Sequence, residues 1–177
     1  MYKLVNCFNA EFDRIFIMRQ YHKILIKVLT TLIFLIFSTL AFCEDWEDAR
    51  TLIQSGKDFE KSRQYDQATN VYKKAINLFP DYPDGYLQLG FGLQALKRFN
   101  SAIDAYKQGL NLSPHHKFAA EAYYNMSVSA DKIGKGPEAI VYLKKALQAY
   151  TDRNDYSGVF HAGSYLEVLS NKYTKTK

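Results

Sequence analysis

The sequence predicts an all-α fold of stacked helix–turn–helix units, and three observations carry that expectation. Residues 75–80 (AINLFP) and 109–114 (GLNLSP) share Asn-Leu-x-Pro at equal offsets, so that Pro80 and Pro114 lie 34 residues apart. The same spacing links Gly56 to Gly90, Ala68 to Ala102, Tyr72 to Tyr106 and Leu78 to Leu112. A fixed period of roughly 20 to 50 residues marks a repeat array, whose units bury their apolar faces on one another. Apolar side chains recur at helical spacing downstream of residue 46, and no segment reads as a strand.

Helices are expected at about 46–62, 66–78, 84–96, 100–112, 118–133, 137–149 and 155–172. Pro80 and Pro114 stop the second helix of each unit, because proline cannot continue the hydrogen-bond ladder. Gly56 and Gly90 are expected where two helices cross closely, with Ala68 and Ala102 as the facing small residues and Tyr72 and Tyr106 filling the space beside them. Asn77 and Asn111 should face water. In the last helix Val159, Phe160, Ala162, Tyr165, Leu166 and Leu169 form an apolar face, opposite Ser164, Glu167, Asn171 and Lys172. Such a helix is a natural terminal cap for an array.

These residues resemble the tetratricopeptide repeat, a 34-residue helix–turn–helix unit. The resemblance covers repeats 49–82 (Gly56, Phe59, Ala68, Tyr72, Ala75, Pro80) and 83–116 (Gly90, Leu93, Ala102, Tyr106, Gly109, Pro114). A looser third repeat, 120–153, has Ala139, Leu143 and Ala146 in its second helix. There the spacing from Ala102 to Ala139 is 37 residues, which places three extra residues near 117–119, and Thr151 stands where the closing proline belongs. The resemblance implies a right-handed α-α superhelix of about three repeats with a C-terminal capping helix, and a concave groove lined by the first helix of each repeat.

Carried over by position, the groove would present Arg50, Ile53, Lys57 and Glu60, then Asp84, Leu87, Phe91 and Gln94, then Glu121, Tyr124, Val128 and Asp131. Leu87, Phe91, Tyr124 and Val128 would make an apolar strip suited to a partner helix or extended peptide, edged by Gln94 and Lys57. Family members that grip a terminal carboxylate use Lys, Asn and Arg at positions filled here by Ile53, Lys57, Gln88, Glu121 and Asn125. Glu121 would repel such a ligand, so that class is not expected.

The domain boundaries expected are an N-terminal leader over 1–43, a repeat domain over 44–150 and a cap with tail over 151–177. In the leader, residues 18–27 are basic, 28–37 are apolar, and Thr39 and Ala41 are small residues suited to signal-peptidase cleavage, with Met18 as a second possible start. Three readings stand: a cleaved signal peptide, a membrane anchor, and a lipoprotein acylated at Cys43. An exported protein of a bacterial periplasm or envelope is expected on this ground. Cys7 and Cys43 are the only cysteines, so the repeat domain holds no disulfide and rests on packing alone.

The net charge of +5 comes largely from the leader: residues 44–177 hold 18 basic and 16 acidic side chains without a clustered basic face. Nucleic acid is therefore not an expected partner. Gly134-Lys-Gly136 follows a helix rather than a strand, which removes the dinucleotide reading. His115-His116 reads as a solvated turn rather than a metal site. Asn111 and Asn125 begin formal glycosylation triplets. No nucleophile–base pair, metal or cofactor is called for. The expected function is a non-enzymatic protein-interaction module, the alternative being a structural or assembly component of a cell-envelope complex, held to a membrane by its N-terminus.

Overall fold

The computed structural model describes the backbone over residues 2–174 and the side chains over 18–36 and 46–173. It contains helices α1 (Tyr2–Lys61), α2 (Tyr65–Leu78), α3 (Pro83–Ala95), α4 (Phe99–Leu112), α5 (Ala119–Lys132), α6 (Gly136–Asp152) and α7 (Tyr156–Thr174). No strand occurs among the described residues.

Six helices sit within a few residues of their expected bounds. The first does not start near 46, because no Gly or Pro lies between residues 2 and 55 to stop it. α6 runs past 149 to Asp152, with Thr151 at the position of the missing proline.

The chain divides into two units, residues 1–44 and 45–177. In the first unit, the described apolar side chains from Ile24 to Ile36 are about half exposed or more. The second unit is an all-α helical-repeat superhelix. Each helix from α2 onward packs on the next in sequence, and α3 also touches α5. One core cluster gathers Ala49, Ile53, Ala68, Tyr72 and Ala75 around the first helix pair. A larger one runs from Leu87 through Ala102, Tyr106, Met126, Ala139 and Leu143 to Ala162 and Leu169 of α7.

The turn inside each repeat has one geometry. Arg63, Lys97 and Gly134 take left-handed φ values of 59°, 61° and 77°. The next residue's N–H then reaches back five positions: Gln64 to Phe59, Arg98 to Leu93 and Lys135 to Ala130, each at 2.9 Å. This is the Schellman closure of a helix C-terminus. Its recurrence brings the loosely matching third repeat into register with the other two.

Small and large residues are matched across each pair. A Cβ on Gly56 would overlap the Tyr72 ring, and one on Gly90 would stand 2.7 Å from Tyr106 Cδ1. The glycines therefore make room for a tyrosine ring, rather than for a close backbone crossing as the sequence suggested. The third repeat has Ser127 at the glycine's place and the smaller Leu143 at the tyrosine's, both fully buried. Ala68, Ala102 and Ala139 are fully buried in all three. Pro80 and Pro114 are exposed and lie two residues beyond α2 and α4, so they end helices and do not pack.

Phe160 was expected on the buried face of α7, yet it is 71% exposed, whereas Ala162 and Leu169 are fully buried. Gly158 packs where a Cβ would overlap Tyr150, and Gly136 does the same against Tyr173. These contacts set the rotation of α7 and turn Phe160 outward.

Candidate concave binding face

Three clefts lie along the faces of α1, α3, α5 and α7 within residues 45–177. The first, of about 680 Å³, is lined by Arg50, Ile53, Lys57 and Asp58 of α1, with Asp84 of α3 and Lys117 of the α4–α5 turn. The second, of about 120 Å³, is lined by Leu87, Gln88, Phe91, Phe118, Glu121 and Asn125. The third, of about 410 Å³, is lined by Glu121, Tyr124, Tyr150, Ser157, Gly158 and His161.

The predicted strip is thus divided. Lys57 lies in the first cleft, Leu87 and Phe91 in the second, and Tyr124 in the third. Phe91 is 44% exposed, the most open of the apolar groove residues. Leu87 is 4% exposed and belongs to the core, where Gly109 leaves space for it: a Cβ there would come within 2.8 Å of Leu87 Cδ2. Gln94 is not a free edge residue. It accepts from the Tyr106 hydroxyl at 3.2 Å and donates to the Asn125 carbonyl at 3.4 Å. Tyr124 leans on Tyr165 of α7, with ring centroids 5.9 Å apart. Val128 is half-buried.

Other expectations are also corrected. Glu121 does not stand free to repel an anion, because the Arg153 guanidinium grips it at 2.9 and 3.2 Å. Arg153 also reaches Asp155 at 3.3 Å and donates to the Lys117 carbonyl. Ser127 of the Asn125 triplet is fully buried in the fold. His115 is exposed as expected, but His116 turns inward, with Nε2 2.8 Å from Asp84 Oδ1. Lys117, Phe118 and Ser157 were not singled out as site residues from the sequence, and His161, read there as a packing or surface residue of the last helix, lines the third cleft. The signal for the first two was the 37-residue spacing, which marks the inserted turn that carries them.

Three side chains of this face hold polar atoms away from water. Glu60 lies against the Tyr72 hydroxyl. Burial pushes its carboxyl up to about 7, against the lowering effects of Tyr72 and Lys57. Burial likewise raises the Tyr106 hydroxyl. Asp131 accepts from the Tyr173 hydroxyl (2.7 Å), Lys172 Nζ (2.7 Å) and the Tyr165 hydroxyl (3.1 Å). Burial pushes the Asp131 carboxyl up, but these donors together hold it below the usual carboxylate range. Among the described residues, no three His, Cys, Asp or Glu side chains converge to hold a metal ion.

The geometry is that of a superhelix presenting the first helix of each pair along one face. Two family models match it: a TPR repeat over residues 56–97 and a tetratricopeptide repeat over residues 83–116. Residues 56–116 are thus tetratricopeptide repeats. Solved structures of similar fold include a T3SS complex from Aeromonas hydrophila, at TM-score 0.69 and 20% identity, covering 74% of this chain and 85% of that one. The first TPR of Spaghetti (RPAP3), bound to the HSP90 peptide SRMEEVD, is similar at TM-score 0.64 and 20% identity, over 72% of this chain and 94% of that one. The Yersinia enterocolitica type III secretion chaperone SycD, in complex with a peptide of the translocator YopD, is similar at 0.64 and 19%, over 70% and 92%. Among curated proteins, none matches by sequence.

Proposed function

We propose that this chain is a non-enzymatic module that holds a segment of a partner protein along its concave face. The observation that carries the reading is Phe91, a large aromatic left 44% exposed in the middle of the three clefts. Support comes from similar folds solved with peptides bound, the RPAP3 domain with an HSP90 peptide and SycD with a YopD peptide. An aromatic in a central cleft is the type of residue that dominates such interfaces. The partner segment suits an apolar side chain beside Phe91 with polar groups on either side.

The test uses the full chain as bait, and then titrates the captured partner into parent and Phe91→Ala by calorimetry. The variant should lose about 2 kcal/mol of affinity, as central anchors do, with little change in melting because the ring is largely outside the core. Equal affinity would place the binding site elsewhere. Lys57→Ala, at the edge, should weaken binding less.

We also propose export, with the N-terminal segment acting as leader or membrane tether. Its support is the basic-then-apolar pattern of residues 18–37 and the exposure of the described apolar side chains there. Cys43 lies outside the described side chains. Among the described residues, no helix is long and apolar enough to cross a membrane. Sequencing the N-terminus of the mature protein, with membrane fractionation, separates the outcomes: a start at Phe42 or Cys43 supports cleavage. An intact N-terminus in the membrane fraction supports the tethered envelope component.

A further inference from the structure

The turn between α4 and α5 spans residues 113–118, two residues longer than its counterpart at 79–82 between α2 and α3. The extra length brings His116 inward. The side chains of His116 and Asp84 are only 15% and 11% exposed, and Nε2 stands 2.8 Å from Asp84 Oδ1. That oxygen is sealed from water and completes no hydrogen bond of good angle, so Asp84 and the ring meet by proximity alone. On the other side of the ring, Nδ1 accepts the Phe118 amide N–H at 3.2 Å. An imidazole nitrogen that accepts carries no proton, so the ring is neutral and its proton is on Nε2, toward Asp84.

The place of this ring gives it leverage. Lys117 and Asp84 line the first cleft, and Phe118 and Glu121 line the second. The turn is therefore the wall between them. Phe118 is also the N-terminal cap residue of α5. The start of α5 is also tied by Arg153, which grips Glu121 and the Lys117 carbonyl.

We propose that His116 is a proton-responsive pin for this wall: a proton taken up from solvent at Nδ1 releases the Phe118 amide and loosens the partition between the two clefts. The protonated nitrogen has no lone pair left to accept, and two N–H donors then face each other across 3.2 Å. At the same time the imidazolium is drawn more strongly to Asp84. The ring stays docked while the Phe118 N–H turns away from it, against the restraint of Arg153 on the Lys117 carbonyl of the same peptide group.

The groups facing the ring set where this happens. Burial lowers the imidazole below its ordinary value and Lys117 pushes the same way, while Asp84 and Glu121 pull it up. Tyr82 stands beside Asp84. Glu47 and Arg50 of α1 line the same cleft and pair with each other at 3.6 Å. The wall should be closed at neutral pH and loosen only in acid.

The consequence for binding rests on the concave-face reading above, but the test reads the free protein and so stands or falls apart from it. The full chain, isotopically labelled, is titrated from about pH 8 to about pH 4.5 by NMR. The His116 ring carbons and the Phe118 amide should shift with one common midpoint, below the ordinary histidine value of about 6.5. Asp84→Asn should lower that midpoint further, by removing the charge that favours the imidazolium. His116→Gln, whose carbonyl can accept the same N–H, should leave the Phe118 amide still over the whole range. A Phe118 amide that does not move while His116 titrates would overturn the proposal, as would an equal movement in His116→Gln. Should that variant not fold, the parent and Asp84→Asn titrations still decide.

Discussion

Glu60, Gln94 and Asp131 occupy one place in three successive repeats, each three residues before the left-handed residue that ends its helix. Their differences show how a single side chain sets local behaviour. Gln94 satisfies the Tyr106 hydroxyl and the Asn125 carbonyl of α5 while staying neutral. Glu60 meets the equivalent Tyr72 hydroxyl with a carboxylate, and its buried Oε1 completes no hydrogen bond among the described residues. Its carboxyl is raised from 4.5 to about 7, chiefly by burial. The folded state therefore holds this proton more tightly than the unfolded chain does. Glu60 imposes no penalty below about pH 4.5, and costs stability progressively as pH rises through 7. Glu60→Gln should thus melt higher than the parent at pH 8 and close to it at pH 5. A melting difference that is the same at both pH values would show that Glu60 is not the group responsible.

At the scale of the element, the turn inside each repeat is the most regular feature and also a place where strain is visible. Gly134 takes its left-handed φ of 77° freely, whereas Arg63 and Lys97 take 59° and 61° with a Cβ present. A left-handed residue other than Gly, Asn or Asp costs roughly 1–2 kcal/mol. Part of any gain from glycine is offset by its greater freedom in the unfolded chain. Lys97→Gly should therefore stabilise by about 0.5–1 kcal/mol, read as a higher urea midpoint at unchanged slope. Lys97 is exposed, so no packing is lost. A lower midpoint would mean that the turn is not strained.

At the scale of the whole molecule, the array must be closed at its C-terminal end, and Asp131 is the fastening. With Leu143 in place of the tyrosine found in the first two repeats, the carboxylate of the third has no tyrosine from its own second helix. It takes Tyr165, Lys172 and Tyr173 from α7 instead. Ala162 and Leu169 then bury fully beneath. Asp131→Ala leaves two half-buried hydroxyls without their acceptor, a loss of about 1–3 kcal/mol. Since an array's stability is nearly a sum of neighbour terms, the loss should appear first as local release of α7. Limited proteolysis should cut within 156–174 before the rest of the domain. A parent-like digestion pattern would remove Asp131 from this role.

The sequence by itself determined the repeat period, the bounds of six helices, and the residues Gly56, Ala68, Tyr72, Gly90, Ala102, Tyr106 and Ala139 that pack between them. All of these follow from spacing and size along the chain, which a short repeated unit states openly. What Leu87, Gln94, Tyr124 and Phe160 do was settled only in the tertiary structure. Leu87 is drawn into the space left by Gly109, Gln94 reaches Asn125 across the inserted turn, and Tyr124 and Phe160 depend on the rotation of α7, none of which the periodicity specifies. His116 shows the same limit. Two adjacent histidines read alike in sequence, and only the path of a lengthened turn, carrying one of them to Asp84 and leaving the other in water, tells them apart.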